Sequence, residues 1–338
     1  MTDGNGKNKR MFYNDDWGTR FGAYRGSLRP EMVTDTVDIL AGTPVTSLVF
    51  CVSYTWWCNF PSQLNPMPGW RDVPLIHTSP LYRNEFRLYR QVREAGWDIP
   101  KMVQDRAKEL GLEFIPSMRM QDAHFTQKVH PREHPMTGRF WLEHEDLVIG
   151  PGEPGPWGDA QYLLDFRHDV IREHILKTAL EIIDRYAVDG FEMDWTRHLA
   201  FFRRGCERPE LLTDLVRRVR RRLDERGSRE GRRLPLLVRV AASVGESEKC
   251  GLDVTTWIRE KLVDVIVPSS PSRYINFELP VGQWLELTRG TGIEVHPSPD
   301  SAAPVGMGAA TPEMYQAAAS NYYAMGADGH RYVAGEAQ

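Results

Sequence analysis

The stretch VDGFEMDWTRH, residues 188–198, sets two carboxylates, Glu192 and Asp194, two positions apart in an apolar run. Side chains two apart on a strand share a face. The run therefore reads as a strand over 190–195 that sends both acids to one side. Upstream, Val170, Ile171, Ile175, Leu176, Ala179, Leu180, Ile182 and Ile183 fall on one stripe and predict an amphipathic helix over 169–187. Downstream, Leu211, Leu212, Leu215, Val216, Val219 and Leu223 mark a helix over 209–226. A strand between two such helices is one unit of a parallel sheet.

The pattern continues in both directions. Apolar runs at 10–13, 47–52, 113–118, 235–241, 263–268 and 292–296 read as further strands, with helices at 30–41, 84–95, 100–110, 254–261, 281–289 and 312–325. Seven strands, with an eighth expected after Gly326, predict an α/β fold of the (β/α)8 TIM-barrel type. A doubly wound sheet is the runner-up, but no GxGxxG follows the first strand. The eighth strand, His330-Arg331-Tyr332-Val333, is weak, so closure is expected to be short or atypical, or to lean on a partner chain. Residues 1–9 read as a disordered tail and 10–333 as a single barrel domain. A long loop rich in His, Pro and Gly spans 119–162; loops of that length are often functional.

Composition narrows the function classes. The 338 residues are 41% hydrophobic with a formal net charge of −4, which suggests neither a nucleic-acid partner nor an anionic membrane surface. The run from Arg217 to Arg222 is the solvated side of the 209–226 helix. Four cysteines without CxxC spacing read as reduced thiols. With no apolar leader in MTDGNGKNKR, a cytoplasmic location is expected, and no window of 18 apolar residues predicts a spanning helix. His130 and His134 have i, i+4 spacing, but Pro131 and Pro135 interrupt a helix there, so no metal site is assigned.

In a (β/α)8 barrel, catalytic groups sit at the C-terminal ends of strands. Glu192 and Asp194 occupy that end of the fourth strand, with Trp195, Arg197 and His198 following. The plain alternative is that Glu192 pairs with Arg239 and Asp194 caps the next helix. The run Asp189-Gly190-Phe191-Glu192-Met193-Asp194-Trp195 resembles the fourth-strand motif of (β/α)8 glycoside hydrolases. Against the family 18 chitinase pattern, Glu192 stands where Asp is usual and Thr196 replaces the catalytic Glu. The chain is more similar to the bacterial "family 10 glycosylhydrolase-like" barrel proteins. The elements that carry this likeness are Arg119-Met120-Gln121-Asp122-Ala123-His124 after the third strand and Asp165-Phe166-Arg167-His168-Asp169 before the next helix. Gln121 departs from the usual Asn. The likeness runs from about Met11 to Gly329 and implies a barrel acting on carbohydrate.

Glycoside hydrolysis uses two carboxyl groups flanking the scissile bond. Glu192 and Asp194 approach from one wall, so one is expected to be catalyst and the other support. Asp194, nearer the strand end, is the candidate nucleophile or base, and Glu192 would tune it. Two candidates remain for the opposing carboxyl. Glu294 lies on the seventh strand, where the resemblance places a catalytic carboxylate in many retaining enzymes; Asp122 lies after the third. Each could equally be an arginine partner or a loop hydrogen-bonding group.

Substrate contacts are expected from Trp56 and Trp57 after the second strand, since aromatic faces suit sugar rings and two adjacent tryptophans on a loop cannot easily both be buried. Arg119, Arg197 and Arg239 supply guanidinium forks for an acidic or sulfated sugar, unless they pair with the acids. Asn14 and Asp15, with Asp16, would reach the same mouth, and His124, Trp195, His198 and His296 complete the set. The leading expectation is a glycoside hydrolase with no cofactor. The alternatives are a metal-dependent sugar isomerase, epimerase or lyase, and a non-catalytic carbohydrate-binding barrel. A homo-oligomer is left open.

Overall fold

The computed structural model describes residues 10–17, 24–73, 80–122, 130–151, 154–155, 158–270, 275–300 and 310–333. The expected tail at 1–9 lies outside them. Eight parallel strands form one sheet: β1 (Met11–Asp15), β2 (Ser47–Tyr54), β3 (Glu113–Arg119), β4 (Phe191–Asp194), β5 (Leu236–Ala241), β6 (Val265–Ser269), β7 (Glu294–Val295) and β8 (His330–Val333). Each pairs with its neighbour in sequence as far as β7, and β8 pairs with β1 through Met11↔His330 and Phe12↔Arg331. The sheet is a nearly closed (β/α)8 barrel.

Closure is made by few bonds. β7 has only two residues, and the chain before β8 is tied to it by Asp328 N–H on Val295 O at 3.2 Å and by the Asp328 carboxylate, which accepts from Val295 N–H at 2.9 Å. Arg331 N–H reaches Pro297 O at 3.2 Å. At Gly329 a Cβ would lie 2.6 Å from the Arg10 carbonyl and 2.4 Å from the His296 ring. Glycine is needed there because the strands approach too closely for a side chain.

The helices lie where the apolar period places them. α1 (Pro30–Asp38) follows β1, and α2 (Pro80–Ala95) and α3 (Ile99–Glu109) lie between β2 and β3. α4 (Arg139–Glu143) and α5 (Asp169–Arg185) precede β4, and α6 (Pro209–Glu230) follows it. α7 (Val244–Lys249) and α8 (Val254–Arg259) follow β5, with α9 (Val281–Thr288) and α10 (Pro312–Met325) after β6 and β7. α7, six residues long, has no apolar stripe to announce it in the sequence and is set instead by a Ser243–Glu246 capping box. Among the described residues no helix is long and apolar enough to cross a membrane.

The segment 119–162 is not structureless. It carries α4, two 3-10 turns (Pro131–Glu133 and Glu145–Leu147) and a two-residue antiparallel pair, Pro154–Gly155 with Gly158–Asp159. Trp141 is buried there against Trp56, with ring centroids 5.3 Å apart.

Inside the barrel, Phe12, Val49, Ile115, Leu237, Val265 and Val267 form an apolar plug. Because strand side chains alternate, the next inward positions toward the C-terminal face are Asn14, Ser117, Glu192 and Arg239, with Asp194 and Arg119 one layer higher. Sequence order thus stacks a charged layer on an apolar one.

Candidate active site at the C-terminal mouth

Glu192 and Asp194 face the interior as their spacing requires, and both are buried, at 0% and 2% exposure. Their surroundings differ. Glu192 accepts a hydrogen bond from the Ser117 hydroxyl at 2.6 Å and is ion-paired with Arg331. Asp194 accepts the Thr196 N–H at 3.0 Å and its hydroxyl at 2.8 Å on one oxygen, while Arg239 lies 3.4 Å from the other. Burial raises the Glu192 pKa, and Asp194 adds to this against the pull of Arg331. Burial also pushes Asp194 up, but Arg239, Arg331, Arg197 and the Thr196 N–H outweigh it and hold the carboxyl below its ordinary range. Two adjacent carboxyls are thereby driven in opposite directions, Asp194 toward the ionised form and Glu192 toward the protonated one.

A second carboxylate organises the rim. Asp16, just past β1, accepts from Arg119 and from Arg197, each at 2.7 Å. Arg119 also pairs with Asp122 at 2.5 Å and lies 4.5 Å over the Tyr54 ring. Burial would raise the Asp16 pKa, but Arg119, Arg197, Arg239 and Arg331 together take it well below the carboxylate range. Carboxylates and guanidiniums gathered at one end of a barrel are costly for packing alone, and such clusters favour functional sites.

Several expected residues lie elsewhere. Glu294 pairs in register with Val265, the first residue of β6, so it sits at the N-terminal end of the barrel, opposite to Asp194. Its side chain is 40% exposed and hydrogen-bonded to His296 Nε2 at 2.8 Å. His296 is buried with its ring 4.7 Å from Phe12 of the apolar plug. Glu294 and His296 are thus a pair remote from the mouth. Asp15 points outward, where its carboxylate takes the Trp17 N–H at 2.5 Å and the Thr36 hydroxyl of α1. Trp195 also points outward and packs on Trp257 and Phe201 at 5.7 and 5.2 Å. His198 is buried, and His124 lies outside the described residues.

Both loop tryptophans are buried, contrary to the expectation for adjacent residues. Trp57 stacks on Tyr54 at 3.8 Å and meets Tyr89 edge-on at 5.8 Å, while Trp56 packs under the 119–162 segment on Trp141. Thr55 between them has φ 65°, which turns the two rings to different sides. Gln121 is structural: its amide donates to the Leu164 and Ala200 carbonyls at 2.8 and 3.2 Å. The ion pairs also differ from the anticipated one, since Glu192 takes Arg331 and Arg239 goes to Asp194.

Two residues at this site escaped the sequence reading. Arg331 lies in a strand too short to show periodicity, and only its place two residues after Gly329 hinted at an inward position. It also donates to Asn14. Asp300 follows β7 at the C-terminal face, is buried, has φ 67° and adds its charge to that of Asp194 on Arg239. The signal was an acid closing the run His296-Pro297-Ser298-Pro299-Asp300. Among the described residues no group of three or more His, Cys, Asp or Glu side chains is arranged to hold a metal ion.

No protein-family model matches the sequence, and no curated protein matches it. The fold does have solved counterparts. A family 36 alpha-galactosidase from Geobacillus stearothermophilus, in complex with 1-deoxygalactonojirimycin, aligns with a TM-score of 0.50 at 12% identity over 96% of this chain and 39% of that one. The galactosidase domain of an alpha-galactosidase-sucrose kinase aligns at 0.50 with 14% identity over 96% and 37%. A family 18 N-acetylglucosaminidase from Paenibacillus barengoltzii aligns at 0.39 with 12% identity over 86% and 68%. The chain spans about two-fifths of the length of the galactosidase structures. The two alignments at 0.50 agree with the barrel fold and, at these identities, with nothing finer.

Proposed function

We propose that the protein is a glycoside hydrolase whose site lies at the C-terminal mouth of the barrel of residues 10–333, with Asp194 as nucleophile or base and Glu192 as the group that positions it. The supporting observation is Asp194 itself: an inward carboxylate at a strand's C-terminal end, aimed by Thr196 on one oxygen and Arg239 on the other. Arg119 and Arg197 are engaged by Asp16 and Arg331 by Glu192. Arg239 is likewise engaged, by Asp194 at 3.4 Å and by Ser269 Oγ at 2.8 Å, so an acidic or sulfated sugar would have to share a guanidinium already held by a carboxylate. Asp122 is less suited to act as an acid, because its carboxylate is held by Arg119.

A panel of aryl glycosides and oligosaccharides, incubated with the wild-type chain and with Asp194→Asn, tests this reading. Turnover by the wild type and its loss in the variant support it; equal rates in both refute it. The burial of both acids against guanidiniums favours a second reading, a carbohydrate-binding barrel without turnover. Saturable glycan binding with no product across the panel selects that one.

A further inference from the structure

We infer that Trp70, Arg71 and Arg139 form an outlying subsite for an anionic sugar unit, carboxylated or sulfated, of a glycan that extends from the mouth; the inference rests on the carbohydrate reading above. Trp70 and Arg71 lie in the connection from β2 to α2, and Arg139 opens α4 in the connection that follows β3. Both connections leave their strands at the C-terminal end, so the cluster belongs to the same face of the barrel as Asp194.

The sequence pins the indole. Pro66-Met67-Pro68-Gly69 precedes it, with Gly69 at φ 69°, where glycine turns the chain without strain. Trp70 Nε1–H donates to the Thr137 carbonyl at 3.0 Å, and Arg71 donates to the Pro131 and His134 carbonyls at 3.2 and 2.8 Å. These bonds join the two connections. Gly138, next to Thr137, lies against the Trp56 carbonyl, and the Thr55 hydroxyl donates to the Arg119 carbonyl at 3.0 Å. Arg119 is the register partner of Asp194. The cluster is thus tied through backbone contacts to the strand beside the candidate nucleophile.

Charge distinguishes it from the mouth. There Arg119, Arg197, Arg239 and Arg331 are each held by a carboxylate. The guanidiniums of Arg139 and Arg71 lie instead 5.4 and 5.9 Å from the centre of the Trp70 ring, and neither is paired with a carboxylate among the described residues. Asp72, next in the chain, turns to Arg90 at 3.8 Å, and Arg132 is taken by Glu145 through two bonds of 2.6 Å. Arg71 is partly buried and its Nε is sealed without an acceptor; burial, with Arg132 nearby, lowers its pKa and no acid opposes them. A partly desolvated cation without a counterion is unfavourable, and an anion arriving from outside supplies the missing partner. A half-buried indole beside two guanidinium forks, that of Arg139 exposed, suits a pyranose carrying carboxylate or sulfate. Two such cations on a chain of net charge −4 do not make the basic track that a nucleic acid needs.

The test measures binding by calorimetry to two pairs of oligosaccharides: hexagalacturonate with its methyl ester, and a carrageenan hexasaccharide with its desulfated form. Members of a pair differ in the anionic group, so the two arms tell carboxylate from sulfate, and either arm upholds the inference. The wild type is expected to bind an acidic member more tightly than its neutral twin, with a preference that fades as salt is added. Arg139→Gln, whose exposed side chain contacts only the ring, should weaken that acidic member on the order of 10-fold and leave the twin unchanged, while Arg139→Lys retains part of the preference. Unchanged binding by Arg139→Gln, equal weakening of both members, or no preference for either acid overturns the subsite. A short single-stranded DNA bound as tightly, with the same dependence on Arg139, overturns the sugar assignment. Wild-type protein that binds none of these oligosaccharides and none of the panel above overturns the carbohydrate reading and the subsite with it; binding of neutral glycans alone defeats the subsite and leaves that reading in place.

Discussion

Glu192 on β4 and Arg331 on β8, 139 positions apart in the chain, form an ion pair with both side chains sealed from solvent. A buried pair contributes little net stability, but removing one partner leaves an uncompensated charge. Arg331→Met is therefore expected to cost about 3–5 kcal/mol, read as a lowered urea midpoint. Adding Glu192→Leu should recover most of it. A double variant as unstable as the single one would contradict this account.

Asp194→Asn keeps the shape that Thr196 holds and removes the charge facing Arg239. Its melting temperature should fall, because the buried Arg239 guanidinium loses part of its compensation, while turnover of the folded variant falls by about a thousandfold or more. A variant that retains activity at the wild-type level would remove Asp194 from the chemistry.

Trp57 stacks on Tyr54 behind the mouth, so its truncation should act on the fold before it acts on sugar binding. Trp57→Ala is expected to lose about 3–5 kcal/mol in chemical denaturation. A stable variant with a raised KM would instead mark the indole as a sugar platform.

The carboxyl of Glu85, buried on α2, makes stability depend on pH. Its pKa rises from 4.5 to about 8 on folding, so between those values the folded state binds more protons than the unfolded one. Stability therefore falls as pH rises from about 4.5 and levels off above about 8, by an amount on the order of a few kcal/mol. Glu85→Gln should flatten that slope between pH 5 and 8 and be the more stable protein at pH 8. Parallel curves for the two proteins would show that Glu85 is ionised in the native state.

The barrel was legible because its signals are local. Helical stripes such as Val170 to Ile183 and the compact apolar strands fix element type with no knowledge of partners, and the 169–187 expectation agrees closely with Asp169–Arg185. That Glu192 and Asp194 share a face followed from strand period alone. Partners did not, because they depend on register around the whole barrel. Glu294 has the residue type and strand of a catalytic acid, yet the pairing with Val265 sets it at the wrong end. Trp56 and Trp57 were read as exposed because the burial of both depends on the positive φ of Thr55 and on Trp141 arriving from the next connection. The burial of Glu85 was silent in the sequence, since a charged residue on a helix ordinarily faces water.

The mouth is assembled from unequal halves. The chain through the β4 region contributes the carboxylates of Asp16, Asp122, Glu192 and Asp194 with the guanidiniums of Arg119 and Arg197; the remainder contributes Arg239 and Arg331 with Asp300. Among these groups the first half thus carries an excess of negative charge and the second an excess of positive charge. Fragments divided between β4 and β5 should attract one another, and added salt should slow their reassembly by screening that attraction.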